Sequence, residues 1–201
     1  MMKFTARVAG LTCALVLTAL NFSFASPIIV VADLTASGDI TLTAPDTALA
    51  GDDLTIAPVT VASTGGNITL NAGDNLTLAP GSTVAAFGDI TINLDAGNAD
   101  AGVGSTATLA GQLIAQHVTI TGGADFDTLV FQGPAAVVTF TSSNSGTISA
   151  PGMTDILFSS IEDIRGSVTV AAPVPEPNSW LLMATAGGVG LLSRFRKRRS
   201  T

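Results

Sequence analysis

The 201-residue chain carries 15 acidic residues, 8 Lys and Arg, and one His. Arg165 is the one basic residue between Arg7 and Arg194, whereas every acid, from Asp33 to Glu176, lies in that span. So negative a body excludes nucleic acid and acidic polymers as direct partners unless cations bridge them. The single cysteine, Cys13, falls within an N-terminal leader, which excludes thiol catalysis, thiolate metal sites and disulfides from the mature chain.

Residues 1–25, MMKFTARVAGLTCALVLTALNFSFA, read as a signal peptide. Lys3 and Arg7 form its positive start, and Val8 to Leu20 its apolar stretch, expected to be helical. Ser23 and Ala25 are small residues at the two positions a signal peptidase reads. Cleavage is expected between Ala25 and Ser26.

From Pro27 onward the chain repeats itself. LTIAPVTVASTGGNITLNA from Leu54 aligns without a gap on LTLAPGSTVAAFGDITINL from Leu76, which pairs Ala57 with Ala79, Pro58 with Pro80, Gly66 with Gly88 and Ile68 with Ile90. Looser copies start at Ile40 and Ala107. Repeats of this length mean a stack. Within each copy the period is two, as in Ile40-Thr41-Leu42 and Ile68-Thr69-Leu70, with Gly-Asp, Gly-Asn or Asp-Asn just before most strands. Ile40, Leu42, Leu54, Ile56, Ile68, Leu70, Ile90 and Ile92 are expected inside, and Thr41, Thr55, Thr69 and Thr91 exposed. Short strands joined by short turns leave no room for helical crossovers. The expectation is an all-β fold, a parallel β-helix or solenoid of short strands; an antiparallel sandwich is the alternative.

The stretch GNITLNAGDNLTLAPGSTVAAFGDITI resembles the repeats of filamentous-haemagglutinin-type secreted β-helix proteins, over residues 38–121. That resemblance implies an adhesin or matrix role and supplies no catalytic residues. GGADFDTLVF from Gly122 resembles one calcium-binding turn of the RTX type, but it has no second copy and Asp125 stands where a Gly is expected. Asp125 and Asp127 therefore read as solvated turn residues, and no metal or other cofactor is expected. Phe126, Phe131, Phe140 and Phe158 are expected to cap the end of the stack.

No catalytic constellation emerges, so the chain reads as non-enzymatic. Asp52-Asp53 is the one adjacent acidic pair in the repeats and reads as a solvated turn. His117 stands where other copies place Asp or Asn before a strand. Thr41, Thr55, Thr69, Thr77, Thr91 and Thr119 form a row such as ice-binding solenoids use. The residues two further on, Thr43, Ala57, Asn71, Ala79, Asn93 and Thr121, are an irregular second column. Threonine in an exposed strand needs no ligand to explain it.

VPEPNSWLLMATAGGVGLLSRFRKRRST closes the sequence given. Pro175-Glu176-Pro177 follows an extended linker. A helix from Asn178 to Phe195 would be about 27 Å long, barely a bilayer core. Arg194, Arg196, Lys197, Arg198 and Arg199 would hold its far end in the cytoplasm. Motif, apolar helix and basic cluster in that order resemble the PEP-CTERM sorting signal of Gram-negative bacteria that make exopolysaccharide. The resemblance implies recognition near Pro175-Glu176-Pro177 by exosortase, a membrane protease or transpeptidase.

The expected organisation is a signal peptide (1–25), a β-solenoid ectodomain (26–171), and a sorting segment with one transmembrane helix (172–201). The expected partners are signal peptidase, an exosortase-type membrane protease and exopolysaccharide, with the membrane as a transient anchor. The expected destination is the cell surface or extracellular matrix. The alternatives are a surface adhesin or glycan-binding protein, a polysaccharide-active enzyme, and an ice-binding protein.

Overall fold

The computed structural model describes residues 19–23, 27–48 and 50–171. These residues contain strands and turns and no helix. The chain divides into two units, Met1–Val170 and Ala171–Thr201, and every described strand belongs to the first.

β1 (Ala19–Ser23) precedes five turns of a parallel β-helix. The first turn is β2 (Ile28–Val30), β3 (Leu34–Ala36) and β4 (Asp39–Ala44). The second is β5 (Leu54–Ile56), β6 (Thr60–Ser63) and β7 (Ile68–Ala72). The third is β8 (Leu76–Leu78), β9 (Thr83–Ala86) and β10 (Ile90–Asn93). The fourth is β11 (Thr106–Leu109), β12 (Gln112–Ile114) and β13 (Val118–Thr121). The fifth is β14 (Thr128–Phe140), β15 (Gly146–Ser149) and β16 (Ile156–Ser159), after which the chain enters β17 (Asp163–Val170). Strands stack in parallel on their counterparts: β2-β5-β8-β11-β14 form one wall, β3-β6-β9-β12 a second, and β4-β7-β10-β13-β16 a third.

The alternation seen in the sequence becomes three walls with one dry interior. Ile40, Ile68, Ile90, Val118 and Ile156 stack in register, as do Leu42, Leu70, Ile92, Ile120 and Phe158. Leu54, Leu76, Ala107 and Leu129 face them from the first wall. All eight aliphatics expected inside are buried. The threonines differ from expectation. Thr41, Thr55, Thr69 and Thr91 are half-buried, because each is flanked by its counterparts in the turns above and below.

The gapless alignment of the second and third turns hides two compensating shifts. Leu54 pairs Leu76 and Ile68 pairs Ile90, as aligned, but Thr60 pairs Thr83. The corner before β9 is one residue longer than the corner before β6, and the corner after β9 is one shorter. The stack absorbs the longer corner in the exposed turn Pro80-Gly81, which leaves the wall registers on either side intact.

The two ends are finished differently. β15 runs antiparallel between β14 and β16, tying the first and third walls together. β17 then pairs with β14 in parallel, with a register shift between Phe131 and Ala136. Of the expected aromatic cap, Phe131 and Phe158 are buried, and Phe140 packs edge-on against Phe158 with ring centroids 5.6 Å apart. Phe126 is 61% exposed and takes no part. At the other end β1 pairs in parallel with β4, Ala19 against Asp39. Of the apolar stretch Val8–Leu20 expected to be helical, Ala19 and Leu20 are described, and they belong to strand. The open edge of β4 offers unpaired backbone groups that a strand can satisfy. The remainder of 1–25 lies outside the described residues.

Candidate functional site

The polar side chains of the corners bind one turn to the next. Before the third wall, the Asn67 N–H donates to Asp39 Oδ1 and the Asp89 N–H to Asn67 Oδ1, each at 2.8 Å. His117 continues the same column, its Nδ1 lying 2.8 Å from Asp89 Oδ1 on an exposed corner. Before the first wall, Asn75 Nδ2 donates to Asp53 Oδ1 at 2.8 Å, and the Thr106 N–H donates to Asn75 Oδ1 at 3.0 Å. An Asx carboxylate or amide at a strand entrance thus captures the free N–H of the neighbouring turn. His117 fills a turn position, as read from sequence.

Beside them runs a column of buried acids. Asp52 accepts from the Thr47 N–H at 2.8 Å and the Thr47 hydroxyl at 2.6 Å. Asp74 Oδ2 accepts from the N–H groups of Gly51 and Asp52. Asp127 Oδ1 accepts from the Ser105 N–H at 2.8 Å. These three residues are at most 8% exposed. The reading of Asp52 and Asp127 as solvated is therefore wrong. Asp52 and Asp74, two residues ahead of β5 and β8, and Asp127, one ahead of β14, turn inward, and backbone donors replace water. Asp125 is half-buried, and its Oδ2 accepts from the Gly102 N–H at 2.7 Å. Burial pushes the Asp127 carboxyl above its ordinary range, helped by the charges of Asp95 and Glu162 and opposed by the hydrogen bonds from Ser105 and Gly123.

Three further acids gather at this corner. Asp46, Asp95 and Asp100 bring one carboxylate oxygen each to within 4.8 Å of the others. The loop after β10 makes this possible. Across it the register between turns lengthens from 22 residues, as between Asp53 and Asn75, to 31, as between Asn75 and Thr106. The extra chain, with Asp95 and Asn98 at positive φ, folds back so that the Ala99 N–H donates to Asp46. Desolvation by burial raises the Asp100 carboxyl above its ordinary range, and the charges of Asp46, Asp74 and Asp95 push it the same way. Sequence reasoning passed over this group, because Asp46 and Asp95 are distant in the chain and come together only through the stacking of corners.

The third wall presents an ordered polar face. Thr41, Thr69, Thr91 and Thr119 stack in one column, and Thr43, Asn71, Asn93 and Thr121 in a second beside it. Asn71 Nδ2 donates to Thr43 Oγ1 at 3.0 Å, and Asn93 Nδ2 to Asn71 Oδ1 at 2.7 Å. The irregular second column of the sequence is thus two columns on different walls. Ala57 and Ala79 follow the first wall's Thr55 and Thr77. Of two shallow surface pockets, one is lined by Gly111, Gln112, Gln132 and neighbours without any acid or base. The other holds a single carboxylate, Asp155, with His117.

Pro175, Glu176 and Pro177, the basic cluster Arg194, Arg196, Lys197, Arg198 and Arg199, and the cleavage pair Ala25 and Ser26 lie outside the described residues. So does the expected transmembrane helix; among the described residues no helix is long and apolar enough to cross a membrane.

The described body is an all-β protein whose parallel strands build a solenoid. Residues 173–199 match a family model described as the PEP-CTERM protein-sorting motif. This signal indicates export and membrane-associated sorting through an exosortase. The chain matches no curated protein and no solved structure, and the resemblance to haemagglutinin repeats finds no counterpart there.

Proposed function

We propose that this chain is an exported, non-enzymatic surface or matrix protein, processed by an exosortase at its C-terminal signal. The observation that carries the reading is the sorting-motif match at 173–199. It is joined to a solenoid whose polar side chains are engaged in holding turns together. The Pro175-Glu176-Pro177 motif would be the processing site, and the five basic residues would keep the tail in the cytoplasm. In this reading the solenoid is a spacer or matrix element that meets exopolysaccharide outside the cell.

The test is mass spectrometry of the surface form from cells with and without exosortase. The expected mature chain starts near Ser26 and yields no peptide from Arg194–Arg199. Replacing Glu176, or deleting the basic cluster, should hold the protein at the inner membrane. A surface form that keeps its basic tail would make the segment an ordinary anchor and overturn the reading.

The two-column face of the third wall supports a second reading, an adhesin that binds an extended glycan. Its threonine hydroxyls and asparagine amides repeat at the spacing between strands, about 4.8 Å. Thr69→Lys with Thr91→Lys should then abolish retention on the cell's own exopolysaccharide without altering export.

A further inference from the structure

Asp46 lies in the corner between the first and second turns, and Asp95 and Asp100 lie in the long loop between the third and fourth. Gly97, in that loop, lets the loop close on Asp46: a methyl group there would come 2.9 Å from Asp46 Cβ, and one at Gly73, in the corner between, 2.6 Å from Asp46 Cα. Gly123 closes the other side, where a methyl group would overlap the Asp95 carboxylate. Three carboxylates with oxygens inside 4.8 Å repel one another and would separate into water if free to do so. Asp95 is not free, being 6% exposed.

Two of the converging side chains each carry an orphaned oxygen. Asp46 Oδ2 accepts from the Ala99 N–H, and Asp95 Oδ2 from the Ala124 N–H at 3.2 Å. Their partners Asp46 Oδ1 and Asp95 Oδ1 are buried and have no hydrogen-bond partner among the described residues. Buried carboxylate oxygens without a donor are costly, and native structures rarely keep them. Elsewhere in this corner the chain supplies donors, as it does for Asp52, Asp74 and Asp127. Where those donors are missing, the carboxylates converge.

We propose that Asp46, Asp95 and Asp100 form a calcium site that ties the first corner to the loop after β10. The ligand set is all carboxylate oxygen, which suits a hard cation and not zinc or copper. Oxygens on opposite sides of one calcium stand roughly 5 Å apart, whereas magnesium draws them to about 4.2 Å and keeps most of its water. The three oxygens, all within 4.8 Å of one another, fall inside that span, and the choice of calcium rests on magnesium's need for near-ideal octahedral geometry and its reluctance to shed water. Gly123 and Ala124 of the RTX-like stretch border this site, but its ligands are not that stretch's Asp125 and Asp127, which are held by backbone N–H groups. It stands whether or not the sorting reading holds.

The test is calorimetric titration of calcium chloride into the chelator-treated full-length chain, with thermal unfolding in parallel. One calcium per chain is expected, with a dissociation constant on the order of 10⁻⁴ to 10⁻³ M. About 10 mM calcium should raise the unfolding temperature, because the ion binds only the folded form. Magnesium should bind at least roughly tenfold more weakly. Asp100→Asn, at a half-exposed position, should lower calcium affinity roughly tenfold or more. In chelator the same variant should unfold no earlier than the parent, since it relieves repulsion. Asp155→Asn, on an exposed corner away from the cluster, should bind as the parent does. Absence of both binding heat and unfolding shift in the parent would overturn the site. Equal binding of calcium and magnesium would overturn the choice of ion, and parent-like binding by both Asp100→Asn and Asp95→Asn would overturn the ligand assignment.

Discussion

Asn93 Nδ2 donates to Asn71 Oδ1 at 2.7 Å, from one turn of the solenoid to the next. Asn71 in turn donates to Thr43 Oγ1, so one amide bridges three turns through its two ends. An amide can do this only when the strands are in register, because a slip by one residue would carry it to the other face. The ladder therefore reads out the same register that the buried Ile and Leu columns impose.

Asn71→Ala removes both bonds and should lower unfolding stability by about 1–2 kcal/mol, at the usual ~0.5–1.5 kcal/mol per bond. Asn93→Ala removes one and should cost less. The double variant should fall short of the sum, because the two share a bond. Urea titration of all three against the parent measures it; strict additivity would mean that the amides do not interact.

Ile68 is fully buried between Ile40 and Ile90. Ile68→Asp places a charge where nothing can solvate or pair it, at a cost of several kcal/mol. Loss of the β-type circular dichroism spectrum at room temperature is expected. Ile68→Val should cost only ~0.5–1.5 kcal/mol and keep the spectrum. A folded Asp variant would mean that the wall is not dry at this position.

Gly166 and Gly51 both have positive φ, at 101° and 114°. A methyl group at Gly166 would overlap the carbonyl oxygen of Phe131, whereas one at Gly51 meets nothing within 4 Å. Gly51→Ala should cost about 1–2 kcal/mol, the backbone strain alone. Gly166→Ala adds a clash with main chain that cannot turn aside. Its larger loss of thermal stability should appear together with release of β17 from β14, read as faster amide exchange at Gly166–Val170.

Asp127 carries a carboxyl raised above its ordinary value of 3.8, first by burial and then by Asp95 and Glu162. A raised carboxyl favours its protonated form in the folded state. Its contribution to stability is greatest below 3.8 and is lost as pH rises through the higher folded value. Asp127→Asn removes this titration. In metal-free buffer the variant's stability relative to the parent should therefore climb with pH across that window and level off above it. The fixed offset from its altered hydrogen bonds is expected to be unfavourable. A flat difference would mean that Asp127 ionises as freely as in the unfolded chain.

The walls were legible in the sequence and the corners were not. Alternation of Ile, Thr and Leu and the recurrence from Leu54 to Leu76 were enough to place the aliphatics inside and to anticipate strands stacked in parallel. The physical reason is that burial of an apolar face acts on a period of two, which any stretch of chain displays locally. Sequence motif likewise marked the sorting segment, because a processing enzyme reads a linear signal. Tertiary structure decided what the acids do. Asp52 and Asp127 look like solvated turn residues until stacking sets the backbone N–H groups of neighbouring turns against them. Asp46, Asp95 and Asp100 share no local pattern at all. The length of the loop after β10 and the close approach of its Gly97 to Asp46 bring them together, and distances between turns are set by register, which exists only once the stack has formed.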